Sequence, residues 1–519
     1  MALAAIALCH VVLAWVMRAP GIAWGEDDAA YLQLAEQLRH FSYREVHDIA
    51  APIHARFPPG YPFLIAVMGW PFGDRLDWLL ALNVAFTVCA IVLLYLTARR
   101  FLSDTLALVI ATLFALNPMT LWDSGNLMSE ASFKVLLMLA LWALAHEDRG
   151  ERYAVLAAVS LLAAALTRTA GVVFLPALFA YWIMRHQYRR AGILVLASAV
   201  TVGAWLAFTF AAPDAADRRL YASDLGIDGP RRARVAILWD ILQRLPTRVQ
   251  RLSTNLVPSV LAFPVIPGTR IDNGMWLVVM LVSLTAGLAT LLRRWTAAAL
   301  MLLSYGAMLL VWRYALARFL APIVPLMYVA MIAGGDAVAA RLVPRRRGAA
   351  VAMLAALLLV GVGAANVPRL RAAAACDRAN PVESDGCWDP YYRAYLRAAR
   401  WVRDSIPPDA VFFVNKERAF YQHARRRTIN QDRTLRESPS TLAAYLRERG
   451  AHYAVAAPVG LREDEHYYLL AHACHDFVLV RSFAEDTFVL RLRAPSDPPG
   501  DDSACQALSP YLARRPASG

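Results

Sequence analysis

Residues 25–62, GEDDAAYLQLAEQLRHFSYREVHDIAAPIHARFPPGYP, concentrate groups able to do chemistry. Three adjacent acids (Glu26, Asp27, Asp28) and three histidines (His40, His47, His54) lead to Arg56 and a Pro58-Pro59-Gly60 turn. A carboxylate such as Asp27 or Asp28 can take a proton from an attacking hydroxyl or amine. A guanidinium such as that of Arg56 matches the geometry of a phosphate. His47 and His54 with Asp48 could hold a divalent metal, although loop spacing specifies none. Each feature also has a plainer reading. The two aspartates open an expected helix over 29–39, where carboxylates favour the N-terminal dipole. The three prolines and Gly60 fix a rigid turn that could simply anchor the chain at a membrane interface.

The elements that position this stretch are hydrophobic. Of 519 residues 58% are hydrophobic, and the mean hydropathy is +0.41. Several apolar runs approach the roughly 20 residues that cross a bilayer. The pattern predicts a polytopic α-helical membrane protein of about 11 transmembrane helices with a C-terminal soluble α/β domain. Expected apolar segments cover 2–17, 79–96, 105–121, 126–145, 153–166, 171–184, 191–210, 276–292, 297–311, 320–340 and 349–365. A further piece, 61–70, is too short to span and reads as re-entrant or interfacial. A cleaved signal peptide at the start is the lesser reading, since no basic residues precede the apolar run.

The net charge of +13 comes almost wholly from arginine; lysine occurs only at Lys134 and Lys416. The arginines recur in short loops at 99–104, 146–152, 185–190, 293–295 and 341–348, which the positive-inside rule makes cytoplasmic. Their dispersal speaks against nucleic-acid binding. The loop 18–60, Arg168, the polar stretch 211–275, Arg313 and Arg318, and everything after 366 then lie outside. The expected division is a membrane catalytic domain, 1–365, and an extracytoplasmic domain, 366–519. Cys376, Cys387, Cys474 and Cys505 fall in the latter and fit disulfides of unspecified pairing, or free thiols. Within that domain helices alternate with strands: helix near 388–406, strand 410–414, helix 417–424, strand 426–430, helix 439–450, strand 451–457 and a closing hairpin. The tail after Ala494 is expected to be loose apart from Cys505.

Arginines at membrane depth need an anion or water. Arg168 interrupts two spans, and Arg313 and Arg318 flank Tyr314; a lipid-linked phosphate would serve several at once, and snorkelling is the plainer reading. Glu130 and Lys134, four apart on one helix, predict an ion pair.

Asp27-Asp28-x-x-Tyr31 followed by R-F-P-P-G-Y-P-F-L resembles the type C glycosyltransferases that use lipid-phosphate sugars, among them the protein O-mannosyltransferases and the lipid A aminoarabinose transferases. A-A-L-T-R-T-A-G around Arg168, A-R-F-L-A-P-I-V-P around Arg318, and W-V-R-D-S-I-P-P-D-A-V also resemble that superfamily. The resemblance implies a polyprenyl-phosphate sugar as donor, transferred with inversion on the outer face of the cytoplasmic membrane. It implies Asp27 as base with Asp28 in the second acidic position, where Glu is commoner. It also implies Arg56, Arg168, Arg313 and Arg318 as donor-phosphate contacts, with Tyr31, His54, Pro58, Pro59 and Tyr61 in the substrate loop. Neither the sugar nor the acceptor (a cell-envelope glycan, lipid or protein) is specified, and a divalent metal is left open. The alternative is a non-catalytic lipid-linked glycan transporter or flippase; it would be expected to show paired halves with broken helices, a symmetry that is not evident. A sensor whose outer domain does the work is a second rival, disfavoured by the polar groups of the membrane part.

Overall fold

The computed structural model describes residues 1–22, 26–73, 75–211, 234–263, 270–312, 316–384, 386–429, 441–460, 463–494, 497 and 501–512. Arg313 and Tyr314, Arg231 and Arg232 lie outside them, as do 430 and 439–440 of the expected strand and helix. The chain forms two compact units, Met1–Arg18 with His54–Arg371, and Ala19–Ile53 with Ala372–Gly519.

The first unit is helical and apolar. Five of its described helices are long and apolar enough to cross a membrane: Leu76–Ala98, Tyr188–Ala211, Gly274–Arg294, Ala317–Leu342 and Pro344–Ala375. Shorter apolar helices, Ala2–Val16, Thr169–Met184 and Thr296–Val311, accompany them. The expected span 105–121 is not one straight helix. Asp104–Leu116 and Pro118–Ser124 meet at a bend of 59°. Pro118 cannot donate into the preceding helix. Asn117 restarts the next one, its Oδ1 accepting from the Met119 and Thr120 amides at 2.9 and 3.2 Å. The segment 61–70 lies in a 13-residue helix, Gly60–Phe72, about 20 Å long and so short of a bilayer, as expected. The final helix runs past the expected end at 365 to Ala375.

Small residues set a close helix crossing in this unit. A Cβ on Gly287 would meet the Ala330 carbonyl oxygen at 1.8 Å, and one on Gly334 would meet that of Ser283 at 1.8 Å. Ser283-x-x-x-Gly287 therefore lies backbone to backbone on Ala330-x-x-x-Gly334. Close packing of this kind replaces the hydrophobic drive that helices lack in lipid.

The second unit holds a five-stranded sheet of order β2-β1-β3-β5-β4. Its strands are β1 (Phe412–Val414), β2 (Thr428–Ile429), β3 (Tyr453–Ala456), β4 (Phe477–Phe483) and β5 (Thr487–Leu492). β1 runs parallel to β2 and β3, while β3, β5 and β4 are antiparallel. Successive side chains alternate between two cores. Phe413, Ala454, Ala456 and Leu490 face one core, and Phe412, Val414, Val455 and Val489 the other. This two-sided burial explains the unbroken apolar run at 410–414.

The unit boundary differs from the expected division. The first polar segment belongs with the C-terminal domain because it covers the edge strand β2. Thr428 N donates to the His47 carbonyl at 2.7 Å, Ile49 N donates to the Thr428 carbonyl at 3.0 Å, and Asp48 bridges Thr428 in parallel. An uncovered edge would leave such groups unpaired. Ion pairing adds to this contact: Arg418 Nη2 reaches Glu45 Oε1 and Oε2 at 2.9 and 2.8 Å.

Residues 501–512 of the tail are ordered where looseness was expected. Ser503–Leu508 forms a helix, Cys505 is bonded to Cys474, and Tyr511 stacks on Tyr467 at 4.2 Å. Cys376 pairs with Cys387, leaving Cys9 and Cys89 free. Alkylation of the denatured, unreduced protein is therefore expected to label only Cys9 and Cys89. Replacing Cys474 and Cys505 by serine should cost about 2–4 kcal/mol in the unfolding of this unit, measured by denaturant titration of the full chain.

Candidate active site

The first unit carries a chain of buried charges. Asp123 lies in the short helix after the bend, and Lys134 lies one turn into the helix Glu130–Leu144. Lys134 Nζ donates to Asp123 Oδ2 at 2.7 Å, and both side chains are fully buried. The expected i,i+4 pair of Lys134 with Glu130 is thus not the one formed. Glu130 instead meets two arginines from distant segments: Arg168 Nη1 lies 2.8 Å from Oε1, and Arg318 Nη2 lies 3.6 Å from the same oxygen. Ser129 Oγ accepts from Arg168 Nη1 at 2.9 Å. The carboxylate is 0% exposed, whereas the Arg168 and Arg318 side chains are 11% and 25% exposed. A buried acid thus orients two cations that stay partly exposed.

The Pro-rich turn serves this cluster. A Cβ on Gly60 would meet the Leu166 carbonyl oxygen at 2.6 Å and the Thr167 nitrogen at 3.0 Å. The turn therefore lies directly on the backbone that leads into Arg168. Pro58 is buried and Pro59 precedes the helix Gly60–Phe72. Tyr61 is fully buried and donates to Asn83 Oδ1 at 3.1 Å. Asn83 Nδ2 in turn donates to the Asn126 and Met128 carbonyls at 2.7 and 3.2 Å, just ahead of Ser129 and Glu130. Thus Pro58, Pro59 and Tyr61 frame the segments that hold Glu130 and Arg168. Nearby, Arg56 lies over the Phe57 ring at 5.5 Å, and His54 stacks on Phe57 at 5.2 Å. His54 Nε2 accepts the Phe57 amide at 2.8 Å.

Asp27, Asp28 and Tyr31 belong to the second unit, on the helix Asp27–Arg39. Glu26 precedes the helix with φ 60°, a left-handed conformation that costs an L-residue about 1–2 kcal/mol. Asp28 is buried and its Oδ1 accepts from Ala29 N at 2.8 Å; Asp27 is the more exposed of the two. Tyr31 is buried. His47 Nε2 lies 3.2 Å from Glu45 Oε2, and burial raises Asp48 above the usual carboxylate range. The set His47, Asp48 and His54 does not come together as a metal cluster. Among the described residues, only Cys474, His475 and Cys505 lie within ligand spacing of one another, and a disulfide occupies both sulfurs.

The first unit with its cluster and the second with its sheet have the fold of the type C membrane glycosyltransferases. The chain resembles apo ArnT from Cupriavidus metallidurans with a TM-score of 0.58 and 15% identity, covering 94% of this chain and 97% of that one. The same ArnT bound to undecaprenyl phosphate gives 0.57 and 14%, covering 96% and 98%. The Archaeoglobus fulgidus oligosaccharyltransferase in complex with zinc and sulfate gives 0.57 and 15%, covering 93% and 72%. At such identities the likeness is one of fold. Residues 56–216 match the dolichyl-phosphate-mannose-protein mannosyltransferase family, and that interval holds Arg56, the Pro-rich turn, Glu130 and Arg168. No curated protein matches the chain by sequence. The partial family match and the shared fold agree with the resemblance seen in the sequence.

Sequence reasoning singled out Arg168 and Arg318 but missed the acid that joins them. The available signal was a carboxylate, Glu130, at the start of an apolar helix, which the local i,i+4 rule assigned to Lys134. Two outcomes test this geometry. Lys134→Met alone should destabilise the protein by about 3–5 kcal/mol by stranding the Asp123 charge, and Asp123→Leu added to it should recover most of that loss in the same detergent unfolding assay. Gly60→Ala should cost about 1–3 kcal/mol by pushing the turn off Leu166.

Proposed function

We propose that this protein transfers a sugar from a polyprenyl-phosphate-linked donor to an acceptor on the outer side of the cytoplasmic membrane, inverting the anomeric centre. The observation that carries this reading is the convergence of Arg168 and Arg318 on the buried Glu130. Two fixed, partly exposed guanidiniums suit a phosphate whose negative charge grows as the sugar leaves. Arg56 and Arg313 would be further contacts for that phosphate. Undecaprenyl phosphate in the ArnT complex supports the kind of donor, and the acceptor peptide tethered to the Archaeoglobus enzyme shows one kind of acceptor used within this fold. The disulfides favour an oxidising compartment for the second unit.

In the proposed step Asp27 takes the proton from the acceptor hydroxyl or amine. The acceptor atom bonds to the anomeric carbon as the carbon–oxygen bond to phosphate breaks. The lipid phosphate departs with the electron pair, neutralised by Arg168 and Arg318. Asp28, whose carboxylate closes on its own helix backbone, would hold Asp27 in place. His54, Tyr31, Pro58, Pro59 and Tyr61 would shape the loop.

The test is transfer by purified protein from a panel of labelled polyprenyl-phosphate sugars to envelope acceptors. Asp27→Asn is expected to lower turnover about 10²–10⁴-fold while lipid-phosphate binding persists. Arg168→Ala and Arg318→Ala should each lower kcat about 10²-fold or more. Tight lipid-phosphate binding without turnover of any donor would favour the transporter reading instead.

A further inference from the structure

A second basic site lies within the first unit, away from the buried charge cluster. The helices Leu76–Ala98 and Glu130–Leu144 pack together. Glu130 opens the latter, and Trp142 lies near its other end, about 18 Å along the axis. Where the two helices finish, a cavity of about 260 Å³ opens, lined by Leu96, Arg99, Arg100, Trp142, His146 and Arg149. No acid lines it among the described residues.

The backbone dipole favours cations at helix C-termini, and arginine in short loops also follows from membrane topology. Three features go beyond that. The first is that the acids of the adjoining loop are engaged elsewhere. Glu147 accepts from the Tyr181 hydroxyl and Trp182 Nε1 at 3.2 and 3.1 Å and pairs with Arg190. Glu151 accepts from Arg190 Nε at 3.0 Å, and Asp148 lies 3.6 Å from Arg185. Asp104 meets Arg99 at 3.2 Å, but in a setting open to solvent, where the pair is weak. Arg100 and Arg149 have no ion-pair partner among the described residues.

The second feature is a fixed wall. The bonds to buried Glu147 hold the loop that carries His146 and Arg149. His146 Nδ1 donates to the Trp142 carbonyl at 2.8 Å, and its ring packs on Trp142 at 4.6 Å and on Tyr153 at 5.8 Å. The third is chemistry of two kinds in one cavity. Three guanidiniums face an apolar side made by Leu96 and Trp142, and tryptophan is a residue of membrane interfaces. The volume falls below the roughly 300–1,000 Å³ of small-molecule pockets, which favours a compact headgroup over a nucleotide.

We propose that this cavity binds the phosphate headgroup of an anionic membrane lipid, at a site separate from the Arg168 and Arg318 cluster. Guanidiniums from two helix ends grip the phosphate oxygens, and Leu96 and Trp142 meet the start of the apolar chains. Basic pockets between membrane helices take such headgroups. The lipid thereby joins the end of Leu76–Ala98 to the loop that follows Glu130–Leu144. Such a site stands whether or not the chain transfers a sugar.

Native mass spectrometry of the full-length protein in detergent tests this, with dioleoyl-phosphatidylglycerol, dioleoyl-phosphatidylcholine and inorganic phosphate as probes. Phosphatidylglycerol is expected to be retained over phosphatidylcholine, and the double variant Arg100→Gln, Arg149→Gln should weaken that retention roughly tenfold or more. The double variant Arg168→Ala, Arg318→Ala should still hold the lipid at this cavity, which separates it from any lipid phosphate at the candidate active site. Arg100 and Arg149 are exposed, so the first double variant should unfold at the parent's temperature in lipid-free detergent while losing the stabilisation that added phosphatidylglycerol gives the parent. Equal retention of the two lipids, or retention unchanged in Arg100→Gln, Arg149→Gln, would overturn the proposal. Displacement of phosphatidylglycerol by millimolar inorganic phosphate would overturn the lipid as occupant and assign the cavity to a free phosphate.

Discussion

A charge in an apolar medium must be paired, and the membrane unit is arranged around that requirement. Asp123, Glu130 and Lys134 are fully buried, and an unpartnered ion at such a place would cost several kcal/mol. Asp123 answers Lys134, which leaves Glu130 for Arg168 and Arg318. The pairing is exclusive in its consequences. If Lys134 satisfied Glu130, as their spacing on one helix allows, Asp123 would be stranded and the two arginines would lose their common anchor. Retaining ions where apolar residues could pack is weak evidence for stability and better evidence for a task.

That task needs cations that are fixed and still reachable. Arg168 is held from below by Glu130 and Ser129, and the chain entering it is braced by the turn at Gly60. Rigidity here is assembled from groups that do no chemistry themselves. The prolines remove backbone freedom, the glycine permits contact with Leu166, and Tyr61 ties the turn through Asn83 to the loop preceding Glu130. Preorganised charge of this kind is useful to a reaction in which a phosphate acquires charge as it departs.

The second unit solves a different problem with the same economy. Its sheet would end in an open edge at β2, and residues 47–49 close it. The stretch that covers the edge is continuous with the helix bearing Asp27 and Asp28, and Glu45 ties it to Arg418. The acidic motif is thereby part of a folded α/β body, not a loop of the membrane domain.

Much of this was legible in the chain itself. The apolar helical segments and the alternation of helix and strand after 388 follow from local patterns of period 3.6 or 2, and these patterns survive folding. The acidic pair, the Pro-rich turn and the arginines at 168 and 318 were visible because such residues are costly in their settings. Tertiary structure decided what depends on pairing between distant segments. It decided which acid meets which base, because i,i+4 spacing permits a contact without requiring it. It decided that Cys376 joins Cys387 and Cys474 joins Cys505, since four cysteines allow three connectivities. It placed residues 19–53 with the C-terminal domain, because the need of an edge strand for a partner is not written in either strand's own residues.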